Sequence, residues 1–293
     1  MTRHTLIRQT ERAWWFTPDG TTDRPVLGAL VGERGALIVD AGASPAHAAE
    51  FQAALAAAGL PEPAWVALSH WHWDHVFGAA AFRAPLIAQA GTARMLETMR
   101  GWSWDDAALD ERVAAGVEIS FCRDMIKAEL PDRRDLRLRT ADLSFGDELT
   151  IDLGGVSCQL IHVGGDHAED STIIHLPGEG VAFLSDALYQ CIYSEPRHYT
   201  LERLRPALRR ALDLGAECYL WGHNPEPMGR AELIRLADEL IEAGEIAAEQ
   251  GGNLAASAAE MERRRGRPLN EDEQEDLAAF CNGFGLAGGE AGR

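Results

Sequence analysis

Three imidazoles and one carboxylate lie within residues 70–75, in the stretch Ser-His-Trp-His-Trp-Asp-His that begins at Ser69. Imidazole and carboxylate groups are ligands that zinc, iron and manganese accept in proteins. Closed structural zinc sites are built largely from thiolates, and this stretch contains no cysteine. The residue types therefore predict a catalytic metal centre with open coordination positions.

The order of these four side chains suits two ions better than one. His70 and His72 are two residues apart, so their rings point the same way from an extended segment. Asp74 and His75 follow where the chain turns toward a helix, and they can face a second ion. A pair of close ions needs such a mixture of ligands together with a bridging group. The alternative is a solvated His-rich loop, in which this density of histidine arises by chance.

Composition and charge limit the classes of function. The chain has 293 residues, a formal net charge of −19 and an apolar fraction of 46%. That length suits one large domain, or one domain with an appendage, around a substantial core. Nucleic-acid and anionic-membrane surfaces require basic patches, which the negative charge disfavours. We therefore expect a small-molecule substrate, no nucleic acid and no membrane partner, with a homodimer as an open alternative.

The cysteines and the chain start indicate a compartment. Five cysteines, without a Cys-x-x-Cys pair, do not form a disulfide framework and are typical of reduced thiols in a cytosol. The first residues contain no apolar run long enough for a signal peptide. No stretch approaches the roughly 20 apolar residues of a membrane span. These features predict a cytoplasmic protein.

Strands and helices that can position the ligands follow from the periodicity. We expect strands at 26–31, 36–40, 65–69, 86–88, 148–152, 156–162, 172–176, 181–185 and 218–221. We expect helices at 46–58, 91–99 and 201–214, with an acidic helical stretch from 229 to about 282. Ser44 is a plausible N-cap, with Pro45 at the first helical position. This order predicts an α/β fold, an αββα sandwich of two mixed sheets flanked by helices, with the candidate ligands at strand ends.

Four further segments complete a known pattern. They are Leu-Ile-Val-Asp-Ala-Gly at 37–42, Gly-Gly-Asp-His-Ala-Glu-Asp-Ser at 164–171, Phe-Leu-Ser-Asp at 183–186 and Trp-Gly-His at 221–223. Together with the His-x-His-x-Asp-His string, they resemble the metallo-β-lactamase superfamily over roughly residues 26–223. The resemblance implies two Zn²⁺ per chain, with iron or manganese as alternatives. It assigns one metal to His70, His72 and His167, the other to Asp74, His75 and His223, and the bridge to Asp186.

The resemblance does not extend over the last part of the chain. We therefore expect residues 1–228 to form the metallo-β-lactamase-like domain and residues 229–293 to form a C-terminal helical extension. Within the domain, residues 100–135 are expected to be a mostly helical insertion that closes over the site like a lid. Trp102 and Trp104 stand at its start and would give the site an aromatic wall.

Several assignments have two readings. His167 is favoured over His162 as the third-element ligand, because Asp-Ser follows it at the spacing of true lactamases; His162 alternates with apolar residues in a strand. Asp40 ends a strand beside the site and either orients a ligand imidazole or caps the turn. Tyr189 lies three residues after the bridging aspartate, where similar lactonases have a Tyr. Its hydroxyl either donates a hydrogen bond to a carbonyl oxygen or to a leaving group of the substrate, or lies at the surface while the ring packs against the protein.

Other side chains near the motifs have a structural and a functional reading. Trp71 and Trp73 alternate with the ligand histidines and either pack in the core or line the rim of the pocket. Four arginines in the insertion and just after it either form a solvated basic face or meet a substrate carboxylate or phosphate. They are Arg133, Arg134, Arg137 and Arg139.

The resemblance implies a lactonase-like metallo-hydrolase. A hydroxide held by the metals would attack the carbonyl of a small-molecule ester, lactone or related acyl bond, and Asp74 would also move a proton. An aspartate at position 186 disfavours β-lactamase-like activity, because zinc lactamases typically have Cys or no acidic residue there. A glyoxalase-type thioesterase is a second alternative, although such enzymes bind glutathione through basic residues in a C-terminal helical part that is mainly acidic here. An iron-dependent oxidoreductase of the same superfamily is a third.

Overall fold

The computed structural model describes residues 4–286, which form two stacked sheets with helices on either side. The first sheet has seven strands in chain order: β1 (Leu6–Arg8), β2 (Ala13–Phe16), β3 (Leu27–Gly32), β4 (Gly35–Val39), β5 (Pro63–Ala67), β6 (Leu86–Gln89) and β7 (Leu143–Phe145). The second has six strands, in the spatial order 13-12-11-10-9-8: β8 (Glu148–Asp152), β9 (Ser157–His162), β10 (Thr172–Leu176), β11 (Val181–Ser185), β12 (Cys218–Trp221) and β13 (Met228–Gly229).

Helices connect and cover these strands. Over the described residues they are α1 (Pro45–Ala57), α2 (Trp73–Val76), α3 (Ala90–Arg100), α4 (Asp106–Ala114), α5 (Ser120–Glu129), α6 (Leu201–Asp213), α7 (Arg230–Glu249), α8 (Leu254–Arg265) and α9 (Glu271–Gly283). Ser44 caps α1 as predicted, since its side chain accepts a hydrogen bond from the backbone N–H of His47 and Pro45 begins the helix. No helix in residues 4–286 has the length and apolar character needed to cross a bilayer.

Strand alternation separates the apolar side chains into layers. In β4, Leu37 and Val39 enter the core between the two sheets, whereas Ala36 and Ile38 enter the core beneath the first helix layer. This follows from the two-residue period of a strand. A third apolar cluster joins the second sheet to α6–α9. The predicted αββα sandwich of two mixed sheets is therefore confirmed.

Parallel neighbours in each sheet bring loops together at one edge. β4 pairs in parallel with β5, and β11 pairs in parallel with β12. The carboxyl ends of parallel neighbours meet at the same edge, so the residues that follow these strands are close in space. Four of the sequence motifs lie at the ends of β4, β5, β11 and β12, and the fifth, at 164–171, follows β9.

Short strands and one loop differ from the sequence expectations. The pattern did not indicate β1, β2, β7 or β13, which have only two to four residues each. Such short segments gain their order from pairing with a neighbouring strand and carry little periodicity of their own. The stretch 100–135 contains α4 and α5 as expected, but residues 130–142 continue as turns and irregular chain.

The C-terminal helices share one hydrophobic core with the second sheet. Leu240 of α7 and Phe280 of α9 belong to the same buried cluster as Leu184 and Tyr219 of the sheet. The division of the chain at residue 228 stays a prediction. Residues 1–3 and 287–293 of the two expected units lie outside the described residues.

A buried ion pair anchors the helical insertion to the first sheet. Glu129, at the end of α5, has a side chain that is 2% exposed and accepts hydrogen bonds from Nε of Arg24 at 2.9 and 3.0 Å. Thr22 and the cap residue Ser44 also donate hydroxyl hydrogen bonds to it. One carboxylate therefore links α5, the loop before β3 and the start of α1.

Replacing Glu129 by alanine is expected to lower the free energy of unfolding by about 3 kcal/mol, because the mutation leaves a largely buried guanidinium and two hydroxyls without their partner. Urea denaturation followed by circular dichroism measures the change. Asp132→Ala is the control, since it removes an exposed carboxylate from the same region, and its unfolding midpoint should match the wild type. An unchanged midpoint for Glu129→Ala would show that the anchor contributes no stability.

Candidate metal centre

The predicted ligand side chains converge at the shared edge of the two sheets. His70 and His72 follow β5, and the one-turn helix α2 carries Asp74 and His75. Their potential ligand atoms form two groups, in each of which all the atoms lie within 4.8 Å of one another. The first group is His70, His72 and His167, and the second is Asp74, His75, Asp186 and His223.

Asp186 lies between the two groups. Its Oδ2 is 3.3 Å from Nε2 of His167 and 4.0 Å from Nε2 of His70, in the first group. The same oxygen is 3.5 Å from Nε2 of both His75 and His223, in the second group. One carboxylate oxygen therefore faces both sets of ligands, which is the position that a bridging ligand requires.

Backbone geometry positions this carboxylate. Ser185 adopts φ = 49°, in the left-handed region, so the chain turns sharply at the end of β11 and directs Asp186 inward. Gly222, after the parallel neighbour β12, packs directly against it: a Cβ at this residue would lie 1.8 Å from Oδ1 of Asp186. The glycine of the Trp-Gly-His motif is therefore needed for the aspartate to occupy its position.

Several buried polar atoms of the cluster lack a hydrogen-bond partner within residues 4–286. Among the described residues, Nε2 of His70, His72, His75 and His167 and Oδ1 of Asp186 are buried without a hydrogen-bond partner. Buried polar groups nearly always have partners, because an unpaired one costs free energy. A divalent cation would satisfy imidazole nitrogens and carboxylate oxygens together. The residues present therefore fit a metal centre.

Asp40 orients one of the clustered imidazoles. Its Oδ2 accepts a hydrogen bond from Nδ1 of His75 at 2.8 Å, and its Oδ1 accepts one from the backbone N–H of Ser69 at 2.7 Å. The Ser69 hydroxyl, also bonded to Asp40, lies 3.0 Å from Nδ1 of His70. A carboxylate that accepts a hydrogen bond from Nδ1–H directs the Nε2 lone pair of a neutral His75 ring toward a metal. The geometry thus favours the orienting role over a simple turn cap.

The other ring nitrogens are held from outside the cluster. Nδ1 of His167 donates a hydrogen bond to the backbone carbonyl of Gln190 at 3.2 Å. Nδ1 of His223 lies 3.5 Å from Oδ1 of Asp23, a residue in the left-handed region with φ = 58°. Asp23 was not singled out from the sequence, because the stretch Gly-Thr-Thr-Asp-Arg carries no motif. Only the fold brings it to His223.

Asp40→Asn is expected to weaken zinc affinity by about 10- to 100-fold. The neutral amide oxygen accepts the hydrogen bond from Nδ1–H of His75 more weakly than a carboxylate does, so the ring is no longer held in one tautomer. Competition with a chromogenic chelator measures the affinity. Asp142→Asn serves as the matched control: it also alters a carboxylate that accepts a backbone hydrogen bond at a strand end, but it lies outside the cluster. Equal zinc affinity in wild type and Asp40→Asn would show that Asp40 does not orient His75 for the metal.

The histidines of the cluster differ in protonation. Burial lowers the pKa of His70 and His72 well below the usual value, so both rings are neutral. Burial also opposes ionisation of Asp186, but His223 and His75 outweigh it and hold the pKa of this carboxyl well below its usual range. The pKa of His75 and His223 is raised well above the usual value, since the facing carboxylates overcome burial. In the metal-free protein, His75 and His223 therefore hold protons, which a cation bound at these rings would displace.

A cavity of about 610 Å³ opens over the cluster. Its walls combine apolar and aromatic side chains with polar and charged ones, including an acidic stretch of α9. The lining beyond the clustered ligands comprises Asp23, Phe121, Cys122, Tyr189, Gln190, Ile192, Arg197, Tyr199, Trp221, Asn224, Met228, Leu236, Leu240, Asp272, Glu275 and Asp276. A cavity of this size with convergent polar groups suits a small molecule.

Tyr189 lines this cavity beside the cluster. Its ring centroid is 5.9 Å from that of His167 and 5.1 Å from that of Trp221. Burial and the charge of Asp186 raise the pKa of its phenol further above the usual value. The hydroxyl therefore stays protonated at neutral pH and is a hydrogen-bond donor next to the metal ligands.

The two tryptophans that were expected to form an aromatic wall over the site do not line the cavity. Trp102 and Trp104 are absent from the described lining; both flank the guanidinium of Arg112, at 4.9 and 4.6 Å. They pack in the insertion instead of facing the cavity, because Arg112 and the core beneath occupy their faces. The insertion contributes Phe121 and Cys122 of α5. The aromatic wall at the tryptophans was therefore wrongly placed.

The tryptophans of the ligand string have separate environments. Trp73 is 1% exposed and packs edge-on against Phe77 in the core. Trp71 is half-buried and packs edge-on against His72, with the ring of Tyr193 5.3 Å away. Neither tryptophan is part of the described cavity lining.

The structure places the other candidate side chains outside the ligand groups and the described cavity lining. His162 lies outside both ligand groups, and its Nε2 donates a hydrogen bond to the carbonyl of Glu169 at 2.7 Å. The four arginines around the insertion are also absent from the described cavity lining. Their partners are carboxylates and backbone carbonyls of the same region: Arg133 with Asp106, Arg134 with Asp132, Arg139 with Asp142, and Arg137 with the carbonyls of Arg134 and Leu136. They do not meet the site.

Comparisons with known proteins agree with this geometry. A family model described as the metallo-beta-lactamase superfamily matches residues 21–223. A metallo-beta-lactamase from Pontibacter korlensis is 16% identical with a TM-score of 0.56, and the match covers 80% of this chain and 98% of that one. A beta-lactamase domain protein from Burkholderia ambifaria is 18% identical with a TM-score of 0.59, covering 97% and 88%. No curated protein matches the chain.

A third similar structure includes the C-terminal helices. The stereoselective inverting sec-alkylsulfatase Pisa1 from Pseudomonas sp. is 14% identical with a TM-score of 0.64. The match covers 96% of this chain and 50% of the sulfatase. At these identities the structural neighbours demonstrate a shared fold alone.

The family model covers well over half of the chain, and its span contains every side chain of the two ligand groups. Sequence, sheet order and clustered side chains thus agree on one assignment. The chain belongs to the metallo-beta-lactamase superfamily and is an enzyme of that superfamily.

Proposed function

We propose that this enzyme is a dinuclear zinc-dependent hydrolase of small-molecule esters, lactones or related acyl bonds. The observation that supports two ions is the position of Asp186, whose Oδ2 faces His167 and His70 on one side and His75 and His223 on the other. A single ion would leave one group of buried imidazoles without a partner. Zinc is proposed because histidine with carboxylate is a ligand set that it accepts; iron and manganese are alternatives.

The chemistry of such a centre follows from its charge. When bound, two divalent cations would lower the pKa of water to about 7 and polarise a carbonyl oxygen. His70, His72 and His167 would hold one ion, and Asp74, His75 and His223 would hold the other. The imidazoles are neutral ligands, so Asp186 and Asp74 supply the negative charge of the cluster, which leaves a net positive site for an electron-rich substrate oxygen.

The chain's own residues then move and hold protons. Hydrolysis adds a hydroxyl to the acyl carbon and a proton to the leaving oxygen. Asp74 lines the cavity, with its Oδ2 3.1 Å from Nε2 of His75 and 3.2 Å from Nε2 of His223, and we assign it the transfer of that proton. Tyr189 is assigned the hydrogen bond to the carbonyl or leaving oxygen.

A substrate panel tests this proposal. The purified protein is loaded with zinc and assayed against an acyl-homoserine lactone, an aryl ester, a glutathione thioester, a cephalosporin, a phosphodiester and a secondary alkyl sulfate, with and without chelator. The sulfate is included because a sec-alkylsulfatase shares the fold over nearly the whole chain. Chelator-sensitive turnover of the lactone or ester supports the proposal.

Other outcomes select an alternative. Turnover confined to the thioester would indicate a glyoxalase-type enzyme, and turnover confined to the cephalosporin would indicate a β-lactamase-like one. Turnover of the sulfate alone would indicate that the enzyme cleaves a sulfuric ester and not an acyl bond. Consumption of dioxygen by the iron-loaded protein, with no hydrolysis of any substrate, would indicate the oxidoreductase.

Tyr189→Phe is expected to lower kcat by about 10²-fold with little change in zinc content, because it removes one hydrogen-bond donor aimed at the reacting oxygen. Steady-state kinetics on the best substrate and metal analysis measure the two quantities. Tyr219→Phe is the control, since it removes a buried phenol that donates to the carbonyl of Ala211 away from the cavity. Equal kcat in wild type and Tyr189→Phe would assign Tyr189 to packing.

A further inference from the structure

One imidazole of the metal centre differs from the others in how its ring is held. Four rings have a partner at Nδ1: a hydroxyl for His70, a carboxylate for His75, a backbone carbonyl for His167 and a carboxylate for His223. Among the described residues, neither ring nitrogen of His72 forms a hydrogen bond, and its Nε2 is buried. The orientation of this ring therefore depends on the side chains that pack against it.

Two aromatic side chains from outside the ligand groups pack against His72. Trp71 meets the imidazole edge-on, with the ring centroids 4.6 Å apart. Tyr193 lies in the loop between β11 and α6, and its ring centroid is 4.9 Å from that of His72 at an interplanar angle of 44°. Tilted rings at such separations attract one another, so both contacts restrict rotation of the imidazole. Because Trp71 belongs to the ligand string itself, Tyr193 is the ring that ties His72 to a distant part of the chain.

Tyr193 is fixed in turn by the helical insertion. Its hydroxyl donates a hydrogen bond to Sγ of Cys122 in α5, at 3.7 Å. Its ring packs against the hydrophobic core that joins the first sheet to α4 and α5. Cys122 is buried and lines the cavity together with His72. The insertion therefore reaches the metal centre by two routes, directly at the cavity wall and through Tyr193 behind His72.

We propose that Tyr193 is a positioning residue of the metal centre: anchored to α5 through Cys122, its ring holds the imidazole of His72 in the orientation that an ion in the first ligand group requires. This inference rests on the metal-dependent function proposed above. Tyr193 is absent from the described cavity lining, so it acts through His72 and not on the substrate. Outer partners of metal-bound histidines typically contribute about 10- to 100-fold in metal affinity, and packing takes the place of the hydrogen bond here.

Stepwise metal binding tests this role. The metal-free protein is titrated with zinc against a chromogenic chelator, and with cobalt(II), whose visible absorption reports the geometry of its ligands. In Tyr193→Leu, which removes the ring, we expect one ion to bind at least about 10-fold more weakly and the other to keep its affinity. Tyr193→Phe keeps the ring and loses only the bond to Cys122, so its loss should affect the same ion and be smaller.

Three further variants assign the effect. His70→Ala identifies the ion that the first ligand group binds, and this should be the ion that Tyr193→Leu weakens. Cys122→Ala removes the acceptor of the phenol and should weaken the same ion to a smaller extent, which decides the matter if Tyr193→Leu does not fold. Trp14→Leu is the matched control, since it removes a half-buried ring of β2 with no described ring contact to a ligand. It should lower Tm and leave both metal affinities unchanged.

Metal affinity separates this inference from the proposed function. A selective loss of the first-group ion, with a changed cobalt spectrum, supports the inference. Unchanged affinities in Tyr193→Leu with a lower Tm, or equal weakening of both ions, would show that Tyr193 only packs, and would overturn the inference while leaving the hydrolase intact. Failure of the wild type to hydrolyse any substrate overturns the proposed function. The metal titrations need no substrate, so they still decide the role of Tyr193 in that case.

Discussion

Asp186→Asn is expected to lower kcat/KM by more than about 10³-fold and to halve or abolish the metal content. Outer-shell partners of metal ligands typically contribute 10- to 100-fold, and this residue contacts both ligand groups directly. An asparagine has one neutral oxygen and no charge, so it cannot balance two divalent cations from the central position. Its NH₂ group would also face imidazole nitrogens that carry lone pairs for a metal.

Three measurements decide this prediction. Metal analysis gives the ions per chain, steady-state kinetics give kcat/KM, and urea denaturation gives the stability of the metal-free variant. The metal-free fold should be retained, because the side chain serves the metals more than the core. Asp152→Asn is the control, since it neutralises an exposed carboxylate of the same sheet and should behave as wild type. Two bound metals and full turnover in Asp186→Asn would disprove the bridging assignment.

Removal of the metals is expected to eliminate hydrolysis and to lower Tm by roughly 10 °C. A ligand that binds only the native state at 1,000 times its Kd stabilises that state by about 4 kcal/mol. In a chain of this size, each kcal/mol corresponds to about 2–4 °C. The structural reason is that buried atoms of His70, His72, His75, His167 and Asp186 have no hydrogen-bond partner among the described residues, and bound metals would provide one.

Stepwise reloading measures how many ions the activity needs. The chelated protein is titrated with zinc, and Tm and turnover are followed together. Activity that reaches its maximum at two equivalents supports the dinuclear centre, and a maximum at one equivalent contradicts it. Parallel titrations with manganese and ferrous iron under anaerobic conditions identify the preferred metal. Undiminished hydrolysis by a protein shown to be free of metal would refute the metal-dependent mechanism.

Local patterns in the sequence determined much of this protein. The His-x-His-x-Asp-His string, the cap of α1 by Ser44 and the alternation of β4 are each encoded within a few residues, so they could be predicted without the fold. The αββα layering followed from the order of these elements. The resemblance supplied His167, Asp186 and His223, which the structure brings together with the string.

Only the tertiary structure decided the contacts between distant residues. Asp23 reaches His223, and Arg24 reaches Glu129 across 105 positions, although neither aspartate nor arginine stands in a motif. Asp276 of α9 lines the metal cavity because α7–α9 share a core with the second sheet, and the periodicity of the helix does not encode that packing. Periodicity reports which face of an element is buried, whereas the partner of that face depends on how the whole chain packs.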